Sequence, residues 1–435
     1  MATLNTTIIG LVAMRTKILI AVVCAFFLPS ASGAVCTTTL NSGANINTAI
    51  SAASAGDEIC LNDGSYTVTG QITEQFASYV TIKSVNTKGA TVDLDINPDA
   101  PLNGFTFWGA EYIKIDNVIL SGSYQPGGCS NNLQITNSTI NAKMYFVAPD
   151  CGSGYSFSVL IDGNIINNVA PSTASGMIGI NSSGDDNNFT ISNNTFTGGN
   201  ECSDGINVQA GGGITVGPGN TFSNFYQTGC ANHVDAYQDD GGGGPNNAII
   251  NSYFYNNAVH IGIYDGTSGA MSITGNVFQE CDEPQCIQIG GVSGMNMSHN
   301  TFYNMDVSIG SKSAVSPNSN WTLNNNIFDN STLQTAASDQ EEGVGSGSTI
   351  DYNLNSNSST ISLVVTPTNT VTGAAVYSGT PLNIANWNNW QLASGSPGEN
   401  AGDDSADMGT LYYGTQPILP PILPPTMTGV CTGRF

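Results

Sequence analysis

The segments ITGNVFQ (residues 273–279), MSHNTFY (297–303) and LNNNIFD (323–329) are three copies of one short pattern, in which an Asn is followed two positions later by a Phe. A self-similar period of a few tens of residues is typical of a solenoid, in which each copy contributes to one winding, here called a coil. Asn tolerates left-handed backbone and its amide can bond the Asn of the next coil, while the Phe points inward and stacks. The pattern therefore predicts a solenoid of stacked strands.

The repeat extends well beyond these three copies. An Asn or Ser followed two positions later by an aliphatic or aromatic residue recurs every 21 to 32 residues, at Asn117/Ile119, Ser138/Ile140, Asn164/Ile166, Asn194/Phe196, Asn220/Phe222, Ser252/Phe254, Asn276/Phe278, Asn300/Phe302 and Asn326/Phe328. The longest intervals precede and overlap the stretch from Cys202 to Asp240. Extra residues there are expected to form loops that wall a groove.

The N-terminus has the features of a secretory signal peptide. Arg15 and Lys17 precede an apolar run over residues 18–28, and small residues follow up to Ala34. Because the charged region starts near Met14, residues 1–13 are interpreted as a possible upstream extension from a misassigned start. No other stretch approaches the roughly 18 apolar residues of a membrane span. The sequence therefore predicts a secreted, extracellular protein with no membrane partner.

The charge of the chain limits its partners. The formal net charge is −24, from eight Lys plus Arg against 32 Asp plus Glu. Nucleic-acid phosphates need Lys and Arg, so nucleic acid is excluded as a partner. A polyanionic substrate would have to be accommodated locally, by a bound cation or by a cluster of neutral amides.

Cysteine usage is typical of an oxidising compartment. Of ten cysteines, Cys24 would leave with the signal peptide and nine remain. Their spacing predicts four local disulfides and leaves Cys431 unpaired. The predicted pairs are Cys36 with Cys60, Cys129 with Cys151, Cys202 with Cys230, and Cys281 with Cys286.

The two ends of the repeat resemble those of a known superfamily. At one end, INTAISAA (residues 46–53) has helical spacing and is followed by Gly-Asp, an apolar strand and Gly-Ser-Tyr (64–66); at the other, WNNWQL (387–392) precedes Ser-Pro and Asp-Met-Gly (407–409) turns. These segments resemble the terminal coils of secreted right-handed parallel β-helix proteins of the pectate-lyase-like superfamily, over roughly residues 36–414. The resemblance implies an all-β, single-domain right-handed parallel β-helix with an N-terminal capping helix, which covers otherwise exposed strand edges.

The predicted organisation has five parts. They are a signal peptide (residues 1–34), an N-terminal cap with the first coils (35–112), the parallel β-helix repeats (113–334), irregular last coils with a C-terminal cap (335–414), and a Pro-rich tail (415–435).

Residues with acid–base chemistry are concentrated between Glu201 and Asp265. Three segments there superpose as strands: GINVQ (205–209), HVDAY (233–237) and HIGIY (260–264). If they stack in register about 4.8 Å apart, His233 lies beside His260 and Tyr237 beside Tyr264. Asn207, Gln209 and Asp235 would then share the same outward face.

Such a face predicts β-elimination from a uronic-acid polymer. A base must take the proton next to the carboxyl group and an acid must protonate the leaving oxygen. His233 or His260, with Asp235 beside one of them, is predicted as the base, and Tyr237 or Tyr264 as the acid.

The substrate carboxylate must also be neutralised. Asn207 and Gln209 are candidates, together with Lys143 and Lys312, which fall several coils away in the sequence. Lyases of the superfamily use an Arg or Lys base, often with Ca²⁺, but the only arginines of this chain are Arg15 and Arg434. An arginine base is therefore excluded.

The sequence requires no cofactor. Ca²⁺ is an open alternative, because Asp239, Asp240 and Asp265 offer the oxygen ligands that it prefers. The glycines at 241–244 favour instead a solvated loop for this acidic group.

The predicted function is a monomeric polysaccharide lyase acting on an extended acidic polysaccharide of the alginate, pectate or glucuronan type. A C5-epimerase would use the same proton transfers. A glycoside hydrolase would use Asp204 with Asp239 and Asp240 as paired carboxylates. A non-catalytic glycan-binding or surface protein is the remaining alternative, since one fold hosts many functions.

Overall fold

The computed structural model describes residues 35–411, except 69, 95–106, 125, 128, 148–150, 152–154, 169–175, 183, 232, 241, 264–267, 284, 310–317, 336–346, 363–364 and 380–386. The predicted signal peptide, Cys24, Cys431 and the Pro-rich tail therefore lie outside the described residues, as do Tyr264, Asp265 and Lys312. Met1–Val35 and Cys36–Phe435 separate as two units, and the second contains the fold described below.

Parallel strands stack into three sheets, and each coil of the solenoid passes through sheet 1, sheet 2 and sheet 3 in that order. Sheet 1 has 13 strands: Thr38–Leu40, Glu58–Leu61, Gln75–Ser84, Glu111–Asp116, Asn131–Thr136, Ser158–Asp162, Asn188–Ser192, Ile214–Val216, Asn247–Ile250, Met271–Thr274, Asn296–Ser298, Thr322–Asn324 and Thr349–Asp351. The strands of all three sheets pair in parallel with the coils before and after them, as a β-helix requires.

Sheet 2 follows sheet 1 after a tight turn. Its strands are Gly64–Thr67, Ala90–Asp93, Ile119–Tyr124, Thr139–Val147, Ile165–Asn167, Thr195–Gly199, Thr221–Phe225, Tyr253–Asn257, Val277–Cys281, Thr301–Tyr303, Ile327–Asp329, Leu354–Ser356 and Val371–Thr372.

Sheet 3 follows sheet 2 after a connection of variable length. Its strands are Phe107–Trp108, Pro126–Gly127, Ile178–Asn181, Ile206–Ala210, Asp235–Asp239, Val259–Ile263, Ile287–Ile289, Asp306–Ile309, Thr332–Thr335 and Thr360–Ser362. The long strand Thr139–Val147 belongs to both sheets, because it pairs with Ile165–Asn167 and with Ile178–Asn181.

The core is built from inward columns of apolar side chains, one from each coil. The predicted Phe column is present: the rings of Phe196, Phe222 and Phe254 stack with centroids 4.4 and 4.7 Å apart. Phe278 and Phe302 continue the stack at 4.9 and 5.3 Å. Such stacking buries large apolar area in each coil, and the predicted parallel β-helix is therefore confirmed.

In the turn between sheets 1 and 2, two adjacent residues divide the two roles that the sequence pattern assigned to one Asn. These roles are the left-handed backbone and the amide ladder. Left-handed backbone occurs at the first, as at His299 (φ 54°) and Asn325 (φ 58°). The amide ladder is formed by the second: Asn276 Nδ2 donates to Asn300 Oδ1 at 3.0 Å, and Asn300 Nδ2 donates to Asn326 Oδ1 at 3.0 Å. The left-handed backbone and the amide ladder fall on different residues because a side chain that bonds along the stack must point into the coil.

The first predicted pair of the repeat, Asn117/Ile119, is wrong by one position. Asn117 is the left-handed residue, with φ 57°. The residue at the ladder position is Val118, whose N–H donates to Ser138 Oγ at 3.2 Å, and Leu120 is the buried residue that pairs with Ile140. The pattern failed here because Val118 has no side-chain amide, so the ladder position of this coil cannot be recognised in the sequence.

Breaking the ladder is expected to destabilise the protein. Asn276 is fully buried, its Nδ2 donates to Ile249 O at 2.9 Å, and its Oδ1 accepts from Ser252 N at 2.9 Å. Asn276→Ala leaves these buried groups without partners, and we expect a loss of about 2–4 kcal/mol in the free energy of unfolding. Chemical denaturation measures it, with the exposed Asn296→Ala as the control. Equal stability of the two variants would contradict the role of the ladder.

The ends and crosslinks agree with the sequence analysis. The helix Ile46–Ser51 buries Ile46 and Ile50 against the first coils, and Asn45 caps it. At the other end, the short helix Trp387–Trp390 packs its two Trp rings on Tyr253 of sheet 2. All four predicted disulfides are present, namely Cys36–Cys60, Cys129–Cys151, Cys202–Cys230 and Cys281–Cys286. Across the part of the chain that the structure describes, no helix is long and apolar enough to cross a membrane.

Candidate functional site

The three strands of the predicted site pair in a register that differs from the predicted one by three residues. Tyr237 lies opposite Ile206 on one side and Ile261 on the other. This register places Ala236, and not His233, beside His260. The predicted alignment is wrong because it matched His with His and Tyr with Tyr between strands and ignored the column of inward apolar side chains. A shift by an odd number of residues exchanges the inner and outer faces of a strand.

His260 consequently lies inside the solenoid. Its side chain is fully buried, with ring centroids 6.0 Å from Phe254 and 5.9 Å from Phe278, and its Nδ1 is 3.0 Å from Asn257 Nδ2. Burial lowers the pKa of His260 to about 3. Its predicted place on the outward face is wrong, and the neutral ring packs as part of the core.

Tyr237 and Asp239 also point inward, since they alternate with the outward Gln238 along one strand. Tyr237 belongs to the apolar core, and burial, with Asp239 nearby, raises its pKa well above the usual value. Asp239 is 1% exposed and its Oδ1 accepts from Gly243 N at 3.1 Å. The outward placement of Tyr237 is therefore wrong, and Asp239 does not share a face with Asp204 as a hydrolase pair would require.

The described residues form no metal site. Within the described ranges, no group of three His, Cys, Asp or Glu side chains is arranged to hold a metal ion. Asp265, one of the three predicted ligands, lies outside these ranges, and Asp239 is committed to the turn at Gly243. The Ca²⁺ alternative therefore stays a prediction.

A different group of side chains does come together on the outside of sheet 3. We name Lys143, Asp204, His233 and Asp235 the outer cluster. His233 precedes the strand Asp235–Asp239, and its Nδ1 is 2.9 Å from Asp235 Oδ2. The side chain of His233 is 35% exposed, whereas that of Asp235 is fully buried. Because a carboxylate only accepts hydrogen bonds, this contact makes Nδ1 the donor and orients the ring.

Asp204 stands at the centre of the outer cluster. Its Oδ1 accepts from the backbone N–H of Asp235 at 2.9 Å, and its Oδ2 accepts from Asn207 Nδ2 at 3.4 Å. Burial first, and then the charge of Asp235, raise the pKa of Asp204 to about 7. Asp204 is therefore about half protonated near pH 7 and largely protonated below it, which limits the negative charge of the cluster.

Lys143 reaches the outer cluster from an earlier coil. Its Nζ lies 3.4 Å from Ser203 Oγ and interacts electrostatically with Asp204, while burial lowers the pKa of the amine. In the sequence Lys143 falls several coils from His233. The long lysine stem extends along the stack as far as Ser203 and Asp204, which a count of coils does not reveal.

Of the two amide side chains predicted to bind the substrate carboxylate, one is buried and the other is accessible. Asn207 is 4% exposed and donates to Gln238 Oε1 at 2.7 Å, so it supports Asp204 from beneath. Gln209 is partly exposed, and its Oε1 accepts from Tyr145 OH at 2.7 Å and from Asn181 Nδ2 at 3.2 Å.

The disulfide Cys202–Cys230 holds the two connections that carry the outer cluster. One connection contains Ser203 and Asp204 before the strand Ile206–Ala210, and the other contains His233 before Asp235–Asp239. A covalent link between adjacent coils restricts the motion of both, so the cluster is held on a rigid frame.

The raised pKa of Asp204 has a measurable consequence for stability. Between about pH 4 and 7 the folded protein retains a proton that the unfolded chain has released, so the free energy of unfolding falls as the pH rises through this window. We expect Asp204→Asn to remove this contribution. Denaturation at a series of pH values measures it, with Asp306→Asn, in a sheet 3 strand outside the cluster, as the control. Parallel pH profiles for wild type and Asp204→Asn would contradict the assignment.

The fold defines a parallel β-helix protein. No protein-family model matches the sequence, and no curated protein does. Solved structures are similar to the chain: the AlyGC alginate lyase of polysaccharide lyase family 6, in a mutant form, has a TM-score of 0.53 at 12% identity, with 88% of this chain and 57% of AlyGC covered. The chain thus spans less than two thirds of the length of AlyGC.

A second similar structure is a mannuronic-acid-specific family 6 lyase from the human gut microbiota. It has a TM-score of 0.50 at 15% identity, with 75% of this chain and 81% of that protein covered. At such identities the similarity establishes the fold.

Proposed function

We propose that the protein is a polysaccharide lyase that cleaves a uronic-acid-containing polysaccharide by β-elimination at the outer cluster. The observation that carries the proposal is the partly exposed imidazole of His233 held by the buried carboxylate of Asp235, with the amine of Lys143 on the same face of sheet 3. The similar solved structures, an alginate lyase and a mannuronic-acid-specific polysaccharide lyase, support the same reaction class.

The elimination needs one proton removed and one returned. His233 Nε2 takes the proton from C5 of the uronate, the electron pair forms the C4=C5 double bond, and the bond from C4 to the glycosidic oxygen breaks. Asp235 stabilises the imidazolium that forms, which then returns the proton to the leaving oxygen. The predicted alternative acid, Tyr264, lies outside the described residues.

Charge stabilisation at the carboxylate is the role proposed for Lys143. Negative charge moves onto the carboxylate as the C5 proton leaves, and a fixed ammonium group nearby stabilises it. Asp204, whose pKa is raised to about 7, adds little opposing charge below that pH. Lys143, one of the candidates that the sequence offered for neutralising the substrate carboxylate, is therefore the cation of the proposed mechanism.

Product analysis tests the proposal. The purified protein is incubated with alginate, pectate and glucuronan, with and without a chelator, and both ultraviolet-absorbing unsaturated ends and reducing ends are followed. Unsaturated product from wild type but not from His233→Ala supports the lyase. Reducing ends without that absorbance would indicate a hydrolase, and inverted uronates in an uncut polymer would indicate a C5-epimerase. Binding without turnover on acidic and neutral glycans would indicate a non-catalytic protein.

A further inference from the structure

Positive charge is scarce along sheet 3. Among the described residues, Lys143 is the one Lys or Arg on that sheet. Lys83 and Lys114 lie in sheet 1, where they pair with Glu58 at 2.6 Å and with Asp116 at 3.9 Å. Among the described residues, a substrate lying along sheet 3 therefore meets a single Lys or Arg, which is Lys143 of the outer cluster.

Acidic side chains flank sheet 3 on both sides. They stand in the connections that enter the sheet from sheet 2 and in those that leave it for sheet 1, and all are partly or fully exposed: Glu201, Asp282 and Glu283 on the first side, and Asp185, Asp186 and Asp240 on the second. Like charges repel over about 10 Å at moderate salt. Consecutive carboxylates of a bound polymer would therefore be disfavoured away from Lys143.

Apart from Lys143 and Asp306, the accessible residues that the structure describes as pointing outward from sheet 3 are neutral. Tyr145, Gln209, Gln288 and Gln334 are partly exposed; Tyr145 hydrogen-bonds to Gln209 beside the outer cluster, and Gln288 and Gln334 lie in coils further along the stack. Gln288 pairs with Ser308, and Ser308 with Gln334, so the amides follow one column of the sheet. Amide and phenol groups bond sugar hydroxyls without needing a charge, so these positions suit neutral sugars.

We propose that the substrate carries isolated uronate residues flanked by neutral sugars, and that the protein selects such polymers over homopolyuronates. This inference rests on the proposed lyase function. One uronate is bound at Lys143, where elimination occurs, and the sugars on either side contact the neutral column. A homopolyuronate would place further carboxylates between the acidic connections, where no described cation meets them.

The test compares two kinds of soluble oligosaccharide. One is an oligosaccharide of gellan, in which a glucuronate is flanked by neutral sugars, and the others are oligomannuronate and oligogalacturonate. At low salt we expect kcat/KM for unsaturated-product formation to be at least about tenfold higher on the mixed oligosaccharide, with the gap narrowing as salt is added.

A charge variant provides a second test, whose result does not depend on the particular oligosaccharides that are compared. Gln288→Lys adds a cation to the neutral column and should raise kcat/KM on the oligouronates about threefold or more, with little change on the mixed oligosaccharide. Ser272→Lys, on the outer face of sheet 1, adds the same net charge away from the column and should change neither.

The possible failures are distinguishable. Equal or faster cleavage of the oligouronates by wild type, or parity reached on adding Ca²⁺, would overturn the substrate inference and leave the lyase function standing. The absence of unsaturated product from all of the oligosaccharides would overturn the proposed function itself.

Discussion

His233→Ala is expected to lower kcat/KM on the cleaved polysaccharide by about 10²–10⁴-fold, the usual contribution of a positioned acid–base group. The variant should fold normally, because the ring is partly exposed and its hydrogen bond to Asp235 lies at the edge of sheet 3. Activity is measured from the absorbance of the unsaturated product, and stability from thermal or chemical denaturation.

His260→Ala is the matched comparison and should behave in the opposite way. His260 fills the core between Phe254 and Phe278, so its removal creates a cavity and is expected to cost about 2–4 kcal/mol of folding free energy. At temperatures where the variant stays folded, kcat should be near that of wild type. Loss of turnover in a stably folded His260→Ala protein would contradict the register described here.

The third histidine provides a further control. His299 occupies a left-handed turn position, with φ 54°, and its Nε2 is 3.1 Å from Asp404 Oδ2. His299→Asn keeps a residue that tolerates this backbone and should leave kcat/KM unchanged. If all three variants lost activity alike, a general effect on folding would explain the result better than a role for His233 in proton transfer.

Lys143→Ala is expected to reduce kcat by about 10²–10³-fold, comparable to the loss of one group that stabilises charge in the transition state. The effect should fall on kcat more than on KM, because the carboxylate gains charge only as the C5 proton leaves. Lys143→Arg retains a cation but not the compact ammonium, and should recover part of the lost activity.

Lys114→Ala is the control for charge removal, since Lys114 lies on sheet 1 and forms a partly exposed pair with Asp116. It should leave kcat and KM within error of wild type. If Lys143→Ala raised KM alone, Lys143 would serve ground-state binding, and the proposed role in the elimination step would have to be abandoned.

The elements that repeat could be predicted from the sequence. The Asn and Phe periodicity indicated stacked coils because one ladder amide and one inward ring serve each winding. The disulfide pairs followed from spacing, since cysteines about one coil apart come together in a solenoid. The amphipathic spacing of residues 46–53 likewise indicated the capping helix.

The site was predicted only in part. His233 and Gln209, both assigned to the outward face, are partly exposed, whereas Asp235 is fully buried beside His233, and the catalytic and binding roles of all three stay predictions. His260 and Tyr237 were misplaced because strands rich in small and polar residues look alike from either face, and the connections between sheets 2 and 3 differ in length. Apolar columns in neighbouring coils were the signal that would have corrected the alignment.

By itself, the sequence determined that this chain winds into a parallel β-helix with local crosslinks, because regular stacking needs the same kinds of residue at the same interval. Only the tertiary structure decided which acid–base residues face outward and that Lys143 joins them. Those outcomes depend on strand register and on side chains that reach across coils, and both are set by packing between residues far apart in the chain.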